Sequence, residues 1–217
     1  MDFKQSLEEL SEKIIQRKEF IINEEATKQS LIIPFIKILG YDVYNPLEVQ
    51  PEFTSDFGFK KGEKVDYAIK KENKPIIFIE AKFVNEEITR HSAQLCRYFN
   101  ATPEVKFSIL TNGIQYKLFT DLDQDNIMDE EAFYSFDLSN LTTTDYEVIW
   151  QLSKEQFNKD ELVNYSQELV YMTNINNTLK DLFKNPSDDF IRFLIKDIKN
   201  QRVTYALIER FRPIVKK

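Results

Sequence analysis

The stretch that decides the fold is residues 64–82, which read KVDYAIKKENKPIIFIEAK. Its first part, Lys64 to Lys70, alternates between polar and apolar residues, a pattern that predicts a strand with one buried face. Residues 72–74 are polar and predict a tight turn, and the apolar run 75–79 predicts a second strand that is buried. Together these three patterns predict a β-hairpin.

Three side chains of this hairpin are candidates for a metal-dependent phosphodiesterase site. Asp66 lies on the first predicted strand and Glu80 ends the second, while Lys82 follows two residues later, so its side chain leaves the same face as Glu80. Metal-dependent phosphodiester hydrolysis uses a metal ion held by carboxylates, and a nearby cation can orient the attacking water. The alternative is a surface Glu–Lys pair beside a solvated Asp, and residues 64–82 alone favour neither interpretation.

The flanking segments predict an α/β fold. A helix is expected over residues 24–39, with Pro34 as a kink or local break, and a strand over Tyr41–Val49 follows it. After the hairpin come a helix over residues 89–101 and a strand over Val105–Leu110. This reading gives the order α-β-β-β-α-β, and the pattern is helical from about residue 142 onwards.

Composition limits the class of protein. A single cysteine excludes a disulfide framework and a multi-cysteine zinc site, and a reducing, cytoplasmic setting is expected. No apolar run approaches the roughly 20 residues that a membrane helix needs, so no membrane association is expected. The net charge of −7 argues against nonspecific coating of nucleic acid, although residues 180–217 hold ten Lys and Arg against five Asp and Glu.

The helices on either side of the hairpin supply further candidates. Glu25 lies in the opening turn of its helix and could aim a third carboxylate at the metal or its waters, with Glu24 as an open alternative. Taken by itself, Glu25 is better explained by a favourable interaction with the helix dipole. Gln94 and Tyr98 lie four apart on one helix face, where they could hold a phosphate or order the Lys82 amine.

In order and spacing these residues resemble the N-terminal nuclease domain of the restriction (R) subunits of type I restriction enzymes. The resemblance rests on Asp66, Glu80-Ala81-Lys82 and Gln94-x-x-x-Tyr98. The stretch from Glu25 to Gln29, followed by Leu39-Gly40-Tyr41, resembles the leading helix of such domains. The resemblance covers roughly residues 20–120.

The resemblance implies a restriction-endonuclease-like core of the PD-(D/E)xK type. We expect this core over residues 1–140, with residues 141–217 as a helical C-terminal extension. In such a core Asp66 and Glu80 bind Mg²⁺, with Mn²⁺ as a substitute, and Lys82 assists the attacking water. Glu25 would support the site, and Gln94 and Tyr98 match the accessory Gln/Tyr motif of the family. The implied activity is cleavage of DNA in restriction or defence against foreign DNA.

The sequence also departs from the family. Val65 stands where the motif name has proline, and no Walker A sequence is present, so the chain lacks a DNA-translocating motor. A helicase partner, a specificity partner or a homodimer mate is therefore expected. The alternative function is a catalytically silent nuclease-fold module that binds nucleic acid or a partner protein, and binding of Mg²⁺ or Mn²⁺ would distinguish the two.

Overall fold

The computed structural model describes residues 2–54, 64–88, 93–197 and 203–216. Its elements follow in the order α1 (Phe3–Arg17), α2 (Glu24–Thr27), α3 (Ile33–Ile38), β1 (Val49–Phe53), β2 (Val65–Lys71), β3 (Lys74–Ala81), α4 (Ala93–Asn100), β4 (Phe107–Thr111), β5 (Gln115–Phe119), β6 (Tyr134–Asp137), α5 (Thr143–Gln151), α6 (Lys159–Lys184), α7 (Asp188–Ile195) and α8 (Tyr205–Val215). The predicted α/β class is confirmed, and the order α-β-β-β-α-β runs from α3 to β4. The chain then continues into helices.

The six strands form one sheet in the order β1-β2-β3-β4-β5-β6. Only β3 and β4 pair in parallel, because the crossover between them contains α4; the other neighbouring strands are antiparallel. The hairpin predicted over residues 64–82 is confirmed as β2 and β3, and Glu72 and Asn73 both adopt positive φ in its turn. The turn at Asn112-Gly113 joins β4 to β5, with Gly113 at φ 83°.

The strand predicted over Tyr41–Val49 is wrong, because β1 begins only at Val49. The residues before it form turns in which side chains bond to the backbone: Asp42 accepts the Tyr44 N–H at 3.0 Å and Asn45 accepts the Leu47 N–H at 3.0 Å. Such Asp and Asn turns offer the backbone an alternative to a sheet ladder. The apolar residues of this segment therefore belong to a connection and not to a strand.

The helix predicted over residues 24–39 is confirmed with one local irregularity. Asn23 caps α2, since its Oδ1 accepts the Ala26 N–H at 2.8 Å. Between α2 and α3 lies a π-helical turn, Lys28–Ile32, in which the Ile33 N–H donates to the Lys28 carbonyl five residues back. Pro34 follows at the start of α3 and has no N–H to donate, which accounts for the altered bonding in the turn before it.

The described residues form two compact units, one ending at Gln167 and the other beginning at Glu168. The first contains the sheet, α1 to α5 and the start of α6; Trp150 of α5 packs edge-to-face on Phe3 with ring centroids 4.8 Å apart. In the second, α7 and α8 enclose a small apolar core around Ile191, Ile195 and Ile208. Among the described residues no helix is both long enough and apolar enough to cross a membrane.

Candidate active site

The β2–β3 hairpin brings the two predicted metal ligands to one end of the sheet. Asp66 stands at the start of β2, and its Oδ2 accepts the backbone N–H of Ala81, the residue after Glu80, at 2.7 Å. The N–H of Lys82 donates to the Thr111 carbonyl at 2.8 Å, which extends the pairing of β3 with β4 by one residue. These backbone hydrogen bonds hold Asp66, Glu80 and Lys82 at the same end of the sheet.

Glu80 and Lys82 form a largely buried ion pair. Glu80 is 5% exposed, and its Oε1 accepts a hydrogen bond from Lys82 Nζ at 3.0 Å. Burial raises the pKa of Glu80; Lys82 opposes this, and the charge of Asp66 adds to it. Burial disfavours the Lys82 ammonium, but the charge and hydrogen bond of Glu80 outweigh it and raise the Lys82 pKa. Lys82 is therefore a cation at neutral pH.

A second lysine, Lys28, contacts the other side of Asp66. Its Nζ lies 3.0 Å from Asp66 Oδ1, 3.1 Å from Glu25 Oε2 and 3.9 Å from Glu24 Oε1. The sequence assigns no role to Lys28, because its contact with Asp66 spans 38 positions of the chain. The one local indication is its spacing from Glu24 and Glu25, which permits ion pairs along a helix.

The two glutamates at the start of α2 have different surroundings. Glu25 is 64% exposed, and it accepts hydrogen bonds from Lys28 and Gln29, which lower its pKa. Glu24 is the one close to the hairpin: burial and the charge of Asp66 raise its pKa, and its own charge acts on Glu80. Glu24 therefore interacts electrostatically with Asp66 and Glu80, while Glu25 contacts Lys28, which in turn contacts Asp66.

Gln94 and Tyr98, the predicted accessory pair on α4, also have different surroundings. Gln94 donates its side-chain amide to the carbonyl of Lys64, two residues before Asp66, so it lies beside the start of β2. Tyr98 is 1% exposed, and its ring packs against Phe78 with centroids 6.2 Å apart. In this structure the Tyr98 ring belongs to the core between α4 and the sheet, and its accessory role stays a prediction.

The residues fit a divalent cation bound through two carboxylates. Mg²⁺ prefers oxygen ligands, usually keeps several waters, and is often held by one or two carboxylates together with substrate phosphates. Burial is the main cause of the raised pKa of Glu80 and of Glu24, and the negative charge of Asp66 adds to both, as expected of carboxylates that lie close together. Within the described part of the chain no three His, Cys, Asp or Glu side chains are arranged to hold a metal, so water and phosphate would complete the coordination.

Comparison with protein families assigns residues 23–131, just over half of the 217, to the family described as type I restriction enzyme R protein N terminus (HSDR_N). The matched region contains all six predicted site residues. No curated protein and no solved structure matches the chain. The extent of the family match shows that this chain belongs to the family of type I restriction enzyme R protein N-terminal domains.

Proposed function

We propose that this chain is a Mg²⁺-dependent endonuclease that hydrolyses DNA phosphodiester bonds in restriction or defence against foreign DNA. The observation that carries the proposal is the hydrogen bond that the backbone N–H of Ala81, the residue between Glu80 and Lys82, donates to the Asp66 carboxylate. It supports a site in which two carboxylates and one ammonium act on the same phosphate. Membership in the R-protein family supports a role in a restriction system.

Asp66 and Glu80 would hold the metal ion, with Mn²⁺ as a substitute. When bound, the ion supplies Lewis-acid polarisation of the scissile phosphate and lowers the pKa of a water molecule. Asp66 is suited to this task because the backbone fixes one of its oxygens, which limits its rotation. Glu80 is suited because burial and a hydrogen bond from Lys82 keep its carboxylate at the end of β3.

Lys82 would act as a cation, because its ammonium donates a hydrogen bond to the Glu80 carboxylate. From its position beside Glu80 the ammonium can donate to the attacking water or to a phosphate oxygen, where it offsets charge that develops in the transition state. Glu24, a partly buried carboxylate that interacts electrostatically with Lys82 and Asp66, would accept a hydrogen bond from the same water network. Gln94, beside the start of β2, would contact the substrate backbone.

DNA is the proposed substrate, and a protein partner is proposed as well. Cleavage of both strands by one active site requires two protomers or two successive nicks, which makes a homodimer mate one candidate. The R-protein family supports an assembly with helicase or specificity functions as the other. The chain's net charge of −7 is compatible with this, since binding to DNA would then depend on the partner as much as on the nuclease unit.

Cleavage of supercoiled plasmid and linear DNA tests the proposal, with Mg²⁺ or Mn²⁺, for wild type, Lys82→Ala and Lys74→Ala. Lys74 is a matched control, because Glu72-x-Lys74 repeats the Glu80-x-Lys82 spacing at the exposed, opposite end of the same strand. Metal-dependent nicking that is lost only in Lys82→Ala is expected. Equal nicking by all three proteins would show that the site is misassigned. DNA binding without cleavage by any of them would favour the silent binding module.

A further inference from the structure

Lys28 is the charged residue at the site that the proposed chemistry does not use. Its side chain is 15% exposed, and its ammonium lies between Asp66 Oδ1, at 3.0 Å, and Glu25 Oε2, at 3.1 Å. Burial disfavours the ammonium, but the hydrogen bonds and charges of Asp66 and Glu25 outweigh it and raise the pKa of Lys28. The 3.0 Å contact therefore places a lysine side chain directly on one of the proposed metal ligands.

Both oxygens of Asp66 are engaged in this arrangement, Oδ1 by Lys28 and Oδ2 by the N–H of Ala81. A divalent cation bound at Oδ1 would lie within a few ångströms of the ammonium, where like charges repel strongly in a partly buried site. The N–H that donates to Oδ2 belongs to Ala81, whose backbone is held by the pairing of β3 with β4. The mobile partner is the lysine side chain, which has a second acceptor in the solvent-exposed carboxylate of Glu25.

The backbone of Lys28 is fixed, so a movement is confined to its side chain. The preceding residue, Thr27, is fully buried; its hydroxyl donates to the Asn23 carbonyl at 3.0 Å and accepts the Val84 N–H at 3.0 Å. The π-helical turn begins at Lys28 itself, and irregular turns of this kind often occur at functional sites. The Lys28 ammonium therefore contacts Asp66 from a backbone position that is fixed by hydrogen bonds of the neighbouring Thr27.

We propose that Lys28 is a positioning residue. In the metal-free protein its ammonium neutralises Asp66, and when a divalent cation binds, the side chain leaves Asp66 and pairs with Glu25 alone. The inference rests on the proposed function, because it takes Asp66 as a metal ligand. It gives Glu25 a defined task as the acceptor that receives the lysine. It also predicts that metal affinity is set in part by a residue that does not touch the metal.

Titration of the metal-free full chain with MnCl₂ in a calorimeter tests the proposal, for wild type, Lys28→Met and Lys28→Arg. Lys28→Met removes the charge at similar length, and it should bind Mn²⁺ about tenfold to a hundredfold more tightly, the factor that corresponds to one hydrogen bond to a charged group. Lys28→Arg keeps the charge and should restore affinity to within about threefold of wild type. Lys28→Met should also unfold at a lower temperature without metal, because Asp66 loses its counter-ion.

Glu25→Gln supplies a second test that does not depend on the folding of Lys28→Met. It should weaken Mn²⁺ binding more than Glu86→Gln, which removes an exposed charge that also acts on Glu24. In the Lys28→Met background the effect of Glu25→Gln should shrink to that of Glu86→Gln. The role of Lys28 would be overturned if wild type bound Mn²⁺ no more weakly than Lys28→Met. It would also be overturned if Glu25→Gln and Glu86→Gln, each in the wild-type background, changed Mn²⁺ affinity equally. Absence of Mn²⁺ binding in every protein would overturn the proposed function itself.

Discussion

Replacing Gly113 by alanine should destabilise the compact unit that contains the sheet (the sheet unit) more than the same change at Gly40. Both glycines have positive φ, 83° and 88°, which costs an L-residue roughly 1–2 kcal/mol. They differ in surroundings. A Cβ at Gly113 would lie 2.8 Å from Leu31 Cβ and 3.2 Å from Thr27 Cγ2, whereas at Gly40 its nearest neighbour would be Lys154 Cβ at 3.6 Å, an ordinary contact.

The extra loss at Gly113 follows from this crowding. Leu31 and Thr27 are fully buried, so neither can move aside, and overpacking of this kind costs about 1–3 kcal/mol. Gly113→Ala should therefore lose about 2–5 kcal/mol of unfolding free energy, and Gly40→Ala only about 1–2 kcal/mol. The same crowding would push away the helix that carries Lys28, since Thr27 is its neighbour.

Urea unfolding followed by tryptophan fluorescence measures both losses. The chain has one tryptophan, Trp150, and it packs on Phe3 within the sheet unit, so its emission reports on that unit. Gly113→Ala should show the lower midpoint with an unchanged denaturant slope. An unfolding free energy for Gly113→Ala equal to or above that of Gly40→Ala would refute the close packing of the Asn112-Gly113 turn against the helix.

Two further predictions concern buried polar groups of the same unit. The Tyr41 hydroxyl donates to the Leu152 carbonyl at 3.1 Å and burial raises its pKa, so the stability it contributes is present below the ordinary tyrosine pKa of 10.0 and is lost as the pH rises above it. Tyr41→Phe should lose about 1 kcal/mol at pH 7 and show a shallower decline above pH 10 in urea unfolding at several pH values; an unchanged decline would contradict this. Lys106 donates to the carboxylate of Asp121, whose side chain is 4% exposed, so Lys106→Met should cost about 3 kcal/mol by leaving a buried charge without its counter-ion. Adding Asp121→Asn should recover part of that loss, and a double variant as unstable as the single one would argue against the pairing.

The hairpin and its acids could be predicted because the information is local. Alternation, a polar turn and an apolar run within 19 residues determine which strand carries Asp66 and which ends at Glu80. The strand predicted over Tyr41–Val49 was wrong, also for a local reason. The side chains of Asp42 and Asn45 accept backbone hydrogen bonds that stabilise turns, and the apolar pattern gives no sign of these turns. Local side-chain bonds and hydrophobic periodicity compete there, and the side-chain bonds prevail.

The contacts of Lys28 could not be predicted, because they depend on how a helix is rotated against a sheet. The Asn23 cap and the Thr27–Val84 bond fix that rotation, and neither partner of the latter is evident from spacing. Adjacent helical residues point about 100° apart, so the choice between Glu24 and Glu25 also depends on this rotation. Tyr98 shows a related limit, since helical periodicity places it on the face of Gln94 without indicating that its ring enters the core.

The central claim is that Asp66 and Glu80 together hold one divalent cation, and Mn²⁺ binding followed by electron paramagnetic resonance tests it most directly. Wild type, Asp66→Asn and Glu80→Gln would be compared with Glu72→Gln, an exposed turn residue with the same spacing to a lysine. We expect one ion per chain in wild type and Glu72→Gln, and loss of binding in each of the other two variants. Undiminished Mn²⁺ binding by both Asp66→Asn and Glu80→Gln would contradict the claim.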